Sequence, residues 1–297
     1  MRRVVLIVNP FASRVTERRL REVESALSRA GTVETRLTQR RGHATELAAD
    51  VSDADALVVF GGDGVVNETL NGLQVEIPFG PLPGGGTSVF ARALGLPRDA
   101  TGAAECVADA IIAGRTRRIT VGRVAARRFA FSAGVGLDAA TVRRVDALGR
   151  RGDGRRPGDL AFTYEFVRVL AAGSFRLAPS LEIRGIGRAA AALIANCDPY
   201  TYAGAVPLHF APLARFELGL DLVAPVSMTP RSIPRFVRYV LTGHGQEHAP
   251  DILYAHDRDR FEVICDRPLP LQADGEDLGD VEHAVFTAER DAIACLV

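Results

Sequence analysis

The sequence predicts an α/β N-terminal domain with a parallel sheet and glycine-rich loops, then a β-rich second domain, with the functional site in the interdomain cleft. Three observations carry this. Strand-like and helix-like runs alternate through roughly the first 120 residues, the pattern of a parallel sheet covered on both faces. Three turns rich in glycine or proline each follow an apolar run, where ligands meet the carboxyl ends of strands. After Arg115 short strand-like runs dominate. The resulting domains are residues 1–120 and 121–297.

In order, Val4–Val8 is a β-branched run of the kind buried in a parallel sheet. Met1-Arg2-Arg3 ahead of it superficially resembles a signal peptide, but the run stops at Asn9-Pro10 and reads as a first strand. Beyond the Asn9–Arg14 turn, a charged amphipathic helix is expected over Thr16–Ala30, a strand at Val33–Thr38 and a helix at Ala44–Val51. Ala56–Phe60 is the next buried strand, followed by a helix at Val65–Leu73, a strand at Phe79–Leu82 and a helix at Ser88–Leu94. Further strands are expected at Ile119–Ala125, Arg128–Ser132, Ser180–Ile186, Ala190–Asn196, Gly219–Val223, Phe261–Asp266 and His283–Ala288. Helices are expected at Leu137–Leu148, Asp159–Ala172 and Pro230–Leu241.

Composition narrows the chemistry. The 297 residues include 36 basic and 36 acidic side chains, and every basic one is arginine. Lacking lysine, the chain has no Walker A lysine, no strand lysine of a protein kinase and no Schiff-base amine. The zero net charge argues against a general nucleic-acid binder. Cys106, Cys197, Cys265 and Cys295 lie far apart without metal-ligand spacing, which points to core packing in a reducing compartment. His209, His244, His248 and His256 show no ligand spacing either and are assigned no metal. No apolar run approaches the ~20 residues of a membrane span. The expected location is cytoplasmic, with peripheral contact at the inner face of a membrane.

The strand-end turns are Asn9-Pro10-Phe11-Ala12-Ser13, Gly61-Gly62-Asp63-Gly64 and Pro83-Gly84-Gly85-Gly86-Thr87-Ser88. Glycines let the backbone turn tightly and approach a ligand, and the helix beyond supplies free N–H groups, so an anion is held without an ammonium group. Asp63 would repel phosphate there unless a cation such as Mg²⁺ is shared; the alternative is a plain turn with an Asx hydrogen bond. Asp274-Gly275-Glu276 follows the alternating run Leu269-Leu271-Ala273 and offers an exposed carboxylate for acid/base work, or an ordinary turn between strands.

Gly61-Gly62-Asp63-Gly64 followed by Asn67-Glu68 and Asn71-Gly72 resembles the lipid-kinase branch of the diacylglycerol kinase, sphingosine kinase and NAD kinase superfamily. The resemblance extends to Asn9-Pro10, Pro83-Gly84-Gly85-Gly86-Thr87 with Phe90-Ala91-Arg92, and Ser132-Ala133-Gly134-Val135-Gly136-Leu137-Asp138-Ala139. It continues through Tyr202-Ala203-Gly204 to Asp274-Gly275-Glu276. It implies an ATP- and Mg²⁺-dependent kinase acting on a lipid hydroxyl, diacylglycerol to phosphatidic acid being the first choice. Asn9, Pro10, Phe11, Ala12, Ser13, Thr38, Gly61, Gly62, Asp63, Gly64, Asn67, Gly85, Gly86 and Thr87 would form the nucleotide site. Asp63 would help organise Mg²⁺, and Glu276 would be the general base. The alternatives are an NAD kinase and a nucleotide- or lipid-binding module with little or no turnover. The Asn-Glu pair directly after the glycine turn favours the lipid branch.

The sequence departs from this family at Val65, where threonine is usual, and at Ser88-Val89. Leu218 stands where a family aspartate binds a second, structural Mg²⁺, so that site is not expected. Arg92 is a candidate for phosphate, with a solvated surface role as the alternative. Arg143 and Arg144, then Arg150, Arg151, Arg155 and Arg156, cluster among glycines. They offer a contact for an anionic membrane, or simply a solvated loop. The helix Leu160–Leu170 is expected to pack in the core or to wall an acyl-chain pocket.

Overall fold

The computed structural model describes residues 2–149 and 159–297. The chain divides into two compact units, one holding the chain up to Ile119 together with Asp291–Val297, the other Thr120–Arg290.

In the first unit, β1 (Arg3–Val8), β2 (Thr32–Leu37), β3 (Ala56–Gly61) and β4 (Phe79–Pro83) form a parallel sheet in the order β2-β1-β3-β4. Its helices are α1 (Glu17–Leu27), α2 (His43–Ala49), α3 (Asp63–Gly72), α4 (Val89–Ala93) and α5 (Ala100–Ala113). Leu6, Val58 and Phe60 of the sheet pack with Val23 and Leu27 of α1 and Ala104, Val107 and Ile111 of α5. The apolar runs of β1 and β3 are therefore buried almost throughout, as a covered parallel sheet requires. α1 starts where the Thr16 hydroxyl caps the Arg19 amide. α5 corresponds to no sequence expectation. Its alanines and apolar residues leave no sharp stripe, and only Asp99, capping Gly102, and left-handed Gly114 mark its ends. The C-terminal residues pack here too: Cys295 pairs with Phe79 and Leu296 is buried in the core.

The remaining strands are β5 (Arg117–Val124), β6 (Arg127–Phe129), β7 (Ser132–Val135), β8 (Leu181–Ile183), β9 (Gly187–Ala189), β10 (Ala192–Ala195), β11 (Thr201–Ala203), β12 (Val206–Leu208), β13 (Leu220–Pro225), β14 (Ile252–Arg258), β15 (Arg260–Ala273) and β16 (Glu276–Cys295). The helices are α6 (Leu137–Ala147), α7 (Asp159–Ala172) and α8 (Ile233–Thr242). In the second unit the strands run antiparallel in the order β14-β13-β10-β7-β15-β16. Phe129, Ile194, Leu222, Val263 and Phe286 meet in its main core.

Two differences from expectation have local causes. Arg128–Ser132, expected as one strand, breaks into β6 and β7 because the Ala130 and Phe131 amides go to the Asp274 carboxylate. β15 runs 14 residues and β16 runs 20, much longer than the expected core runs. Their ladder shifts register between Ile264 and Leu269 and again between Pro270 and Gln272. Pro268 and Pro270 lie in this stretch, where proline's missing donor is tolerated beside a bulge.

Candidate functional site

β1, β3 and β4 are adjacent and parallel, so the three turns that follow them emerge at one edge of the sheet. Backbone hydrogen bonds knit them together. The Asn9 amide donates to Phe60 (3.0 Å), the Gly84 amide to Gly61 (2.7 Å) and the Arg14 amide to Gly84 (2.9 Å), while Thr38 joins through the Val8 carbonyl (2.8 Å). Asn9 folds into an Asx turn, its Oδ1 accepting the Phe11 amide. Pro10, Phe11 and Ser13 are exposed, and Ala12 is half-buried.

Gly84 and Gly85 must lack side chains because the loops touch backbone to backbone. A Cβ at Gly84 would fall 2.8 Å from the Gly61 Cα, and one at Gly85 would fall 2.8 Å from the Gly62 Cα. Gly64 and Gly86, in contrast, are exposed and face open space. This donor set, with exposed glycine backbone at the head of α3 and in the third turn, suits a polyphosphate that has its own counter-cation.

Asp63 heads α3, yet its carboxylate is already employed. One oxygen accepts the Val89 amide and the other the Phe90 amide, both at 3.0 Å. Asp63 thereby caps α4, whose own N-cap, Ser88, makes no side-chain cap. Ser88 takes a left-handed conformation and its hydroxyl accepts the Gly85 amide instead. Burial raises the Asp63 pKa, against the pull of the Phe90, Val89 and Asp63 amides and the positive charge of Arg92. Each carboxylate oxygen keeps a further acceptor site, so the latch and a shared cation are compatible. Among the described residues, no group of three or more His, Cys, Asp or Glu is placed to hold a metal ion. Mg²⁺ is commonly held by one or two carboxylates plus substrate phosphates.

Other predicted residues sit behind the loops. Asn67 is buried on α3 and accepts the Asn71 side-chain amide. Glu68 accepts the Ala44 amide at the head of α2. Val65 packs beneath the glycine turn: a Cβ at Gly61 would come within 2.3 Å of its Cγ1. The departure at Val65 thus lies in the loop's underside. Thr87 is half-buried beside Gly86.

In the second unit, Asp274 and Gly275 both have positive φ and make the tight turn from β15 to β16. Asp274 is a second carboxylate latch. It is buried and accepts the amides of Ala130 (2.5 Å), Phe131 (2.9 Å) and Ser132 (3.1 Å). The Gly275 amide donates to Gln272, whose own amide donates to Asp138 (2.5 Å), which also accepts the Tyr200 hydroxyl (2.7 Å). Burial raises the Asp138 pKa, while the Tyr200 and Gln272 hydrogen bonds lower it. This latch and relay fix the turn that presents Glu276, which is 12% exposed and lies 2.5 Å from the Arg127 guanidinium. Sequence reading placed Asp274 in this turn but not its part as a latch, and it missed Gln272 and Arg127, which carry no local signal.

Elsewhere, Gly219 donates to Asp257, and buried Asp221 is satisfied by Tyr254, His256 and the Asp257 amide. His209 pairs with Asp198. Arg143 is held by Asp277 and Asp280, and Arg144 by Glu165. Arg150, Arg151, Arg155 and Arg156 lie outside the described residues.

Residues 3–124 match the family model of the diacylglycerol kinase catalytic domain. A diacylglycerol kinase of Bacillus subtilis (strain 168) is 36% identical over 143 residues, 46% of each chain. Sphingosine kinase 1 of Arabidopsis thaliana is 31% identical over 140 residues, 41% of this chain and 28% of that one. The alignment thus spans about half or less of these relatives' length. Among solved structures, a putative diacylglycerol kinase from Bacillus anthracis str. Sterne superposes with a TM-score of 0.76 at 21% identity, over 99% of this chain and 96% of that one. An NAD kinase from Archaeoglobus fulgidus in complex with ATP gives 0.54 at 14% identity, over 98% and 92%. Over residues 3–124 the chain is therefore similar to the diacylglycerol kinase catalytic domain family, and the whole chain has the fold of the diacylglycerol and NAD kinase structures.

Proposed function

We propose that the chain is an ATP- and Mg²⁺-dependent lipid kinase that phosphorylates a lipid hydroxyl, with diacylglycerol as first substrate and phosphatidic acid as product. The observation that carries this reading is the knitted set of three strand-end turns, two of them glycine-rich, within residues that match the diacylglycerol kinase catalytic domain. Gly62, Gly64, Gly85 and Gly86 supply close backbone approach and Asn9, Phe11 and Thr87 border it; Asn67 and Thr38 brace it from behind. Mg²⁺, when bound with ATP, would neutralise phosphate charge, and Asp63 is a carboxylate at these loops placed to share it. Glu276 takes the proton from the acceptor hydroxyl as its oxygen bonds to the γ-phosphorus and the bond from that phosphorus to the leaving ADP oxygen breaks. Arg127 positions Glu276.

Purified protein incubated with radiolabelled ATP, Mg²⁺ and mixed micelles of diacylglycerol should form labelled phosphatidic acid, without forming NADP from NAD. ATP binding with no transfer to any lipid extract would sink the kinase and leave a binding module. NADP formation would instead identify an NAD kinase.

A further inference from the structure

The second unit carries a surface that the proposed chemistry does not use. α8 buries Tyr239 and packs Phe236 against a small core with Ala211, Ala214 and Ile252. Its opposite side is open: Pro234 is exposed, Val237 is 50% exposed and Leu241 52%. At helical spacing these three residues form one apolar stripe. Arg231, Arg235 and Arg238 run beside it and are all exposed. Arg235 pairs with Asp251, and the Arg238 guanidinium lies 5.1 Å from the centre of the Tyr239 ring. No acidic residue occurs between Asp221 and Glu247. β12 packs beside the helix and its Val206 is exposed as well.

We propose that the outer face of α8 docks on an anionic lipid bilayer, its apolar stripe entering the headgroup boundary and Arg231 and Arg238 meeting lipid phosphates. A basic helix with an apolar stripe fits such an interface. A second copy fits less well, because a two-fold contact would press this face against itself, and the segment between Asp221 and Glu247 offers arginines with no acidic residue to meet them. Nucleic acid would leave the stripe unused. The proposal goes beyond the kinase reading and stands without it.

The chain contains no tryptophan, so one introduced residue reports alone. With the full chain, Val237→Trp emission should shift to the blue on equimolar phosphatidylglycerol–phosphatidylcholine vesicles and be quenched by brominated lipid. Ile112→Trp, exposed on α5 of the first unit, should not respond. Arg231→Ala with Arg238→Ala should lower the vesicle partition coefficient about 30-fold at low salt, with the thermal midpoint kept, since both residues are exposed. The proposal is overturned if wild-type protein does not co-sediment with these vesicles. It is equally overturned if Val237→Trp stays unshifted on them, if the double variant partitions like wild type, or if the shift needs only higher protein concentration, as for a second copy. Vesicle binding without phosphatidic acid formation would leave the docking face standing and defeat only the kinase.

Discussion

Asp63 and Asp274 share one device: a carboxylate placed to collect backbone amides from a distant segment. Asp274 serves three amides, two of them in the break between β6 and β7, so Asp274→Ala strands buried donors. We expect a loss of about 3 kcal/mol or more in denaturant unfolding. Asp63→Ala should release the head of α4 and weaken nucleotide binding before it lowers global stability, readable by calorimetric titration of ATP. For Glu276→Gln, whose amide cannot take the proton, kcat on diacylglycerol should fall by roughly 10²-fold or more with the ATP Kd unchanged. A titration test lies next door. The Arg143 hydrogen bond holds the Asp277 carboxyl below its ordinary 3.8. That ion pair therefore stabilises the fold above 3.8 and is lost as the pH falls through the lower folded value. Asp277→Asn should be less stable than wild type near neutrality, by at most about 1 kcal/mol given its partial exposure. The gap should close in acid, as thermal melts across pH would show.

At the level of elements, the loops work because three parallel strands end together and two glycines let backbones touch. Gly84→Ala would drive a methyl group against Gly61, so the turns must part. ATP affinity should fall at least tenfold while the far-UV spectrum is kept. Much of this was legible in sequence: β1, β3 and β4 are compact apolar runs with glycine or Asn-Pro punctuation, and periodicity reports such runs well. α5 was missed because periodicity reports contrast, and an alanine-rich helix has little. The latches were illegible for another reason. Which amide a carboxylate serves depends on partners more than 140 residues away for Asp274, and no local pattern encodes them. Val65 shows the reverse: its departure from the family pattern was visible, but its place beneath Gly61 was not.

The molecule as a whole divides into a unit that carries the glycine loops and a unit that carries Glu276 and α8. The first unit is not continuous in sequence, since Leu296 belongs to its core and Cys295 pairs with β4. That has a consequence for birth on the ribosome. Residues up to Ile119 emerge early, but the piece that completes their sheet edge is translated only after the entire second unit. Until then the nascent first unit waits with an uncovered edge strand and an unfilled place in its interior. A fragment of residues 1–119 should aggregate or melt early, and a synthetic peptide of residues 291–297 should raise its midpoint in a dose-dependent way.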